Sequence, residues 1–181
     1  MLVTGGTGMI GSHLVEILVE QGADVRIVEH KNKASGIFSP DCLRRIEVVR
    51  GDLTKAEDCG SVTKGIDCVF QLSAVLTGVL GNIERPVQMF TPNVLIQTNM
   101  IEAAYKNDVE RYLFTSSACI YSSDIPLPFK EEDGMKGVPD KNNEAYGWAK
   151  RMGELQAQYY QKEYGMKIGI VRPFNIRKQI L

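Results

Sequence analysis

Thr4-Gly5-Gly6-Thr7-Gly8-Met9-Ile10-Gly11 follows a short apolar run and precedes an amphipathic one. That placement reads as a glycine turn carrying the chain from a strand into a helix. Two spacings overlap in it: Gly6, Gly8 and Gly11 fit G-x-G-x-x-G, and Gly5, Gly8 and Gly11 fit G-x-x-G-x-x-G. Both predict a dinucleotide pyrophosphate at the helix N-terminus. Glycine permits the tight turn, lets backbone N–H groups approach phosphate oxygens, and allows the helix to close on its strand. Gly5, Gly8, Met9, Ile10 and Gly11 are therefore the first expected cofactor-binding residues. The pattern alone also fits an ordinary loop, so its surroundings decide.

Outward from the loop, Ile10, Leu14, Ile17 and Leu18 recur at helical spacing until Gly22. Residues 1–3, 25–28, 45–49, 67–72, 111–115 and 167–171 read as six short strands, and 54–63, 94–106 and 143–164 as helices. Strand and helix alternate, which calls for parallel pairing through right-handed crossovers. The expected fold is α/β: a Rossmann-type doubly wound parallel sheet of order 3-2-1-4-5-6, with helices on both faces and ligands along the carboxyl ends of the strands.

The chain has 181 residues, is 44% hydrophobic and carries a net charge of -1. That length suits one domain over 1–181. With no clustered basic face, nucleic acid and anionic membranes are not expected partners. Cys42, Cys59, Cys68 and Cys119 show neither a C-x-x-C pair nor metal-ligand spacing, so no metal site is expected and the thiols suit a reducing cytosol. No apolar run reaches membrane-spanning length and no signal segment is evident, so a soluble, cytoplasmic protein is expected.

Glu29 ends the second strand 18 residues after Gly11, the place for a carboxylate that bonds the adenosine ribose hydroxyls. Lys31 and Lys33 follow and suit a 2′-phosphate, so NAD is favoured while NADP stays open; a solvated strand end is the plain reading of Glu29. In Tyr146-Gly-Trp-Ala-Lys150 the i,i+4 spacing puts phenol and ammonium on one helix face. Tyrosine, with an ordinary pKa of about 10, is a poor base at neutral pH. A neighbouring lysine cation and an oxidised nicotinamide both favour phenolate. An exposed Tyr/Lys pair fits the same spacing.

Thr115-Ser116-Ser117-Ala118-Cys119-Ile120-Tyr121 at the end of the fifth strand changes that balance. With it, the chain resembles the extended short-chain dehydrogenase/reductase family, the NAD-dependent epimerases and dehydratases of nucleotide sugars. The loop at 4–11, Gly51-Asp52-Leu53, Gln71-Leu72-Ser73-Ala74, the serine strand end, Tyr146 with Lys150, and Arg172-Pro173-Phe174-Asn175 fall in family order across essentially the whole chain. The resemblance implies that Asp52 and Leu53 meet the adenine, and that Leu72, Ser73 and Ala74 run along the cofactor. It makes Ser117 the hydroxyl that polarises the substrate oxygen and Tyr146 the acid/base. Lys150 then holds the nicotinamide ribose and lowers the tyrosine pKa, while Ser116 and Asn175 contact substrate. Asp52 equally suits an N-cap for a helix starting near Thr54.

Ser-Ser-Ala-Cys-Ile-Tyr resembles the GDP-mannose 3,5-epimerases, and a cysteine also stands there in GDP-fucose synthases. Asn99-Met100-Ile101-Glu102-Ala103-Ala104 and the glycine-bearing loop at 77–82 support the likeness. It implies oxidation at sugar C4 to a transient ketone, with Cys119 exchanging a proton on a neighbouring carbon. A thiol pKa of about 8.5 suits that task, although a small buried hydrophobe is the ordinary role of a free cysteine. A GDP-sugar is favoured, UDP- and dTDP-sugars stay open, and a homodimer is expected. A dehydratase, a keto-sugar reductase and a non-catalytic dinucleotide sensor or scaffold are the alternatives. Asn175 is followed by only six residues, so the C-terminal substrate-binding portion is expected to be absent. Ile96-Gln97 stand where the wider family has Gly-Thr. Trp148 reads as packing rather than substrate stacking, His13 as surface or satisfied core, and His30 as a solvated turn residue, with stacking near the adenine as its alternative. The stretch 126–134 reads as either a lid or a solvated connection.

Overall fold

The computed structural model describes residues 1–30 and 33–176. Six parallel strands form one sheet of order β3-β2-β1-β4-β5-β6. They are β1 (Leu2–Thr4), β2 (Val25–Glu29), β3 (Ile46–Arg50), β4 (Cys68–Gln71), β5 (Arg111–Thr115) and β6 (Lys167–Val171). The helices are α1 (Met9–Glu20), α2 (Pro40–Arg45), α3 (Ala56–Val62), α4 (Gly78–Glu84), α5 (Pro86–Lys106) and α6 (Glu144–Tyr164). Successive side chains of a strand point to opposite faces, and the sheet uses this to build two cores. Leu2, Val28 and Val69 pack with α3, α5 and α6, whereas Val3, Ile27 and Phe70 pack with α1 and α2. Expected order and two-sided covering are both present.

Three differences from the expected elements have local causes. Residue 45 closes α2 rather than opening β3. Ser39 caps α2 by accepting the Cys42 N–H at 3.2 Å, and Pro40 stands in its first turn. Helix α5 begins at Pro86 and runs through Pro92, which reads as a break in the sequence. Asn93, the next residue, donates from Nδ2 to the Met89 carbonyl at 2.6 Å. Helix α3 begins at Ala56 because Asp52 is spent on Thr54: Oδ1 accepts the Thr54 hydroxyl at 2.7 Å and its N–H at 3.1 Å. The N-cap reading of Asp52 is thereby replaced by a turn before the helix. As expected, α6 ends at residue 164, where Gly165 takes the left-handed conformation, φ 69°.

Candidate cofactor and active-site cleft

The carboxyl ends of the strands open on a cleft of about 1050 Å³. At its centre the glycine loop brings two backbones together. Gly5 has φ 64°, and a Cβ on Gly11 would lie 2.2 Å from the Gly5 carbonyl oxygen, so neither position admits a side chain without displacement. Helix α1 starts there with no side-chain cap and no acidic residue in its first turn. Its first N–H groups, beside Gly8, Met9 and Ile10, face the cleft with the positive end of the helix dipole. That arrangement fits a pyrophosphate.

At the β2–β3 side, Gly51, Asp52, Leu53 and His30 line the cleft. The Thr54 hydroxyl and then its N–H hold the Asp52 carboxyl below its ordinary range, so it is an anion. The Asp52 N–H is itself donated to Asp58 Oδ2 at 2.7 Å. Glu29 is not on the cleft wall: Oε1 accepts the Ala34 N–H at 2.6 Å, and Oε2 lies 3.7 Å from Arg50 Nε. His30, exposed as a solvated turn residue would be, also borders the cleft, as its alternative reading beside the adenine requires. Lys33 is exposed before the short turn Ala34–Gly36, and Lys31 lies outside the described residues.

The floor is held by two polar side chains the sequence reading passed over. Thr4 Oγ1, at the end of β1, accepts the N–H groups of Leu72 and Ser73 at 3.1 Å each. Asn93, 1% exposed, pairs with Val75 like a neighbouring strand: Oδ1 accepts its N–H and Nδ2 donates to its carbonyl, both at 2.9 Å. Leu72, Ser73 and Ala74 are thereby drawn along the cleft beneath the glycine loop.

Ser116, Ser117, Tyr146, Lys150 and Asn175 line the other end. Ser116 is 2% exposed and its hydroxyl has no protein partner. Ser117 Oγ accepts the Cys119 N–H at 3.1 Å, capping the turn Ala118–Ile120. Lys150 Nζ donates to the Thr115 carbonyl at 2.7 Å and lies 5.5 Å from the centre of the Tyr146 ring. Burial pulls the Lys150 ammonium down to about 8, with the Cys119 sulfur acting the other way. The expected lowering of the Tyr146 pKa is not found. Burial first, and then the Cys119 sulfur, raise the phenol above its ordinary value, because a phenolate there is desolvated. Asn82 of α4 was also missed: Oδ1 accepts the Tyr146 N–H at 3.2 Å, a helix cap that Asn143 does not provide.

Cys119 does not line the cleft but is packed against α6, where a Cβ on Gly147 would be 2.4 Å from the Cys119 carbonyl. Arg172 is structural, pairing with buried Glu154 of α6 at 2.9 and 2.8 Å and donating to the Tyr121 hydroxyl at 2.9 Å. The 126–134 stretch is mostly exposed, anchored where Phe129 stacks on Tyr121 at 4.7 Å and where Asp133 and Gly134 are buried. Among the described residues no group of side chains has metal-ligand placement, and no helix is long and apolar enough to cross a membrane.

Sheet, glycine turn and serine–tyrosine–lysine wall together define a dinucleotide-binding α/β unit with acid/base groups at one end of its cleft. Residues 1–177 match the NAD dependent epimerase/dehydratase family, and the chain belongs to that family. It is 34% identical to the GDP-mannose 3,5-epimerase of Arabidopsis thaliana, aligning 96% of this chain with 46% of that protein. It is 31% identical to the UDP-N-acetyl-alpha-D-glucosaminuronate decarboxylase of Bacillus cytotoxicus, over 97% of this chain and 54% of that one. Among solved structures, an epimerase from the methanogen Methanothermobacter thermautotrophicus superposes with a TM-score of 0.82 at 31% identity, covering 94% of this chain and 50% of that one. The chain spans about half the length of these relatives.

Proposed function

We propose that residues 1–181 are the dinucleotide-binding domain of an NAD-dependent nucleotide-sugar epimerase that works through transient oxidation at sugar C4. One observation carries the reading: Ser117, Tyr146 and Lys150 line the same cleft as the glycine loop. A cofactor sensor requires the loop but not those three side chains. The Gly5–Gly11 turn and the open start of α1 suit the pyrophosphate. When bound, NAD+ supplies a hydride acceptor and a positive charge beside the phenol. Tyr146 then removes the C4 hydroxyl proton, and Ser117 donates a hydrogen bond to that oxygen. Lys150, largely protonated at neutral pH, adds the second cation that a buried phenolate needs and suits the nicotinamide ribose. Cys119, on the turn behind the cleft wall beside Tyr146 and Lys150, would exchange a proton on the carbon next to C4, and inversion there would need a proton donor on the opposite face of the sugar. Hydride return closes the cycle.

A GDP-sugar is favoured by the Ser116–Tyr121 run and by the likeness to the Arabidopsis epimerase. The comparable likeness to a decarboxylase favours, as the second reading, another reaction of this family on a UDP- or dTDP-sugar. The four free thiols suit a cytoplasmic setting. The test offers GDP-, UDP- and dTDP-sugars with NAD in deuterated water, to the wild type and to Cys119→Ala. The expected result is wild-type exchange at C3 or C5 of a GDP-sugar, lost in Cys119→Ala while hydride removal at C4 persists. Undiminished exchange in that variant removes the role of Cys119. Tight NAD binding without turnover of any sugar replaces the enzyme with a sensor.

A further inference from the structure

Helix α6 carries, next to Lys150, an arginine that the chemistry above leaves unused. Arg151 is 2% exposed, and among the described residues no carboxylate forms an ion pair with it; its neighbour Glu154 is engaged by Arg172. Burying a guanidinium this way costs several kcal/mol unless its donors are met. They are met by backbone carbonyls. Nε and Nη2 donate to the Ile120 carbonyl at 2.9 and 2.6 Å, Nη1 to the Gly137 carbonyl at 2.6 Å, and Nη2 also to the Lys136 carbonyl at 2.9 Å.

The first of these carbonyls closes the short turn Ala118–Ile120, which holds Cys119 and is capped by Ser117. One helical turn earlier, Gly147 leaves no room between α6 and the Cys119 carbonyl. The helix therefore grips this turn at two positions, by contact at Gly147 and by charge-assisted hydrogen bonds at Arg151. Gly137, held by the same guanidinium, has φ 61°, so the loop entering α6 is fixed from the same point.

We propose that Arg151 is a positioning residue: it locks the turn bearing Ser117 and Cys119 onto the helix bearing Tyr146 and Lys150, and so fixes how far the Cys119 thiol is offered to the cleft. Its catalytic meaning rests on the function proposed above, whereas the geometric claim does not. Loss of the guanidinium strands the Ile120 carbonyl and frees the turn, so Cys119 becomes more reactive. Cys68 begins β4, at the end of the sheet away from the cleft, and serves as an internal control. Trp148, the one tryptophan in the sequence, lies 4.9 Å from the Arg151 guanidinium and reports on it by fluorescence.

The experiment measures iodoacetamide alkylation of Cys119 and Cys68 by peptide mass spectrometry, with parallel NAD titrations, in wild type, Arg151→Met and Arg151→Lys. In Arg151→Met, Cys119 alkylation is expected to rise about fivefold or more, the factor carried by one net hydrogen bond, with Cys68 and NAD affinity within about twofold of wild type. Arg151→Lys, which keeps the cation and reaches one carbonyl, is expected to fall between the two, with a Trp148 spectrum nearer wild type. An unchanged Cys119 rate in folded Arg151→Met overturns the proposal, and so does a parallel rise at Cys68, which would mean general loosening. Should Arg151→Met fail to fold, Arg151→Lys decides: a raised Cys119 rate at unchanged Cys68 supports positioning, and a wild-type rate overturns it. Failure of the wild type to bind NAD sinks the proposed function instead and leaves the alkylation readout standing.

Discussion

Gly11 is the position where one added carbon has the largest effect. A Cβ 2.2 Å from the Gly5 carbonyl oxygen forces α1 away from its turn. Gly11→Ala is expected to weaken NAD binding tenfold to a hundredfold, the equivalent of about 1–3 kcal/mol of overpacking, measured by calorimetric titration. Lys150 predicts a pH effect of definite sign. Its folded pKa of about 8 lies below the unfolded value of about 10.4, so between these the unfolded chain binds more protons and stability rises with pH. Below pH 8 the burial penalty is fully present. The raised pKa of Tyr146 acts oppositely but only above about 10, and the burial-raised thiols of Cys42, Cys59 and Cys68 also oppose. Comparison with Lys150→Met removes those shared contributions. Urea midpoints from pH 7.5 upward are expected to show wild type gaining on the variant by on the order of 1–3 kcal/mol towards pH 10.

At the level of the element, α6 aligns the site because its inner face makes one tertiary contact after another. Tyr146 meets Asn82, Lys150 meets β5, and Glu154 meets Arg172 from the end of β6. Glu154 is fully buried, so Glu154→Gln leaves Arg172 facing a neutral partner and is expected to cost about 3 kcal/mol in urea unfolding. In α5, Asn93→Ala orphans the N–H and carbonyl of Val75; a loss of about 2–3 kcal/mol and weaker NAD binding are expected, because the cleft floor moves. The sequence made α6 evident, since apolar and site residues recur on one face and Gly165 stops it. It did not reveal α2 and α4. Each is six or seven residues long, too short for a periodic stripe, and α4 shows its role only through Asn82.

For the molecule as a whole, a ligand that binds only the folded chain stabilises it by mass action. NAD at a hundred times its dissociation constant adds about 2.7 kcal/mol, which for a chain of this size is a rise of roughly 5–10 °C in thermal midpoint. At the same NAD concentration Gly11→Ala is expected to gain only about 0.4–1.4 kcal/mol, a rise of roughly 1–6 °C.

The sequence by itself determined the alternation of strand and helix, the two-faced sheet, the glycine turn and the residue types around the cleft. Each of these follows from patterns a few residues long, such as alternation, helical periodicity and glycine spacing, which local sterics and burial translate directly into structure. Only the tertiary structure decided where the polar groups end. Glu29 turns back to Ala34, Asn82 caps a helix 64 residues away, and Arg151 closes a turn 31 residues before it. It also decided that the Tyr146 phenol is harder to ionise than an exposed tyrosine, because desolvation depends on how completely distant elements cover the ring, and no local pattern encodes that.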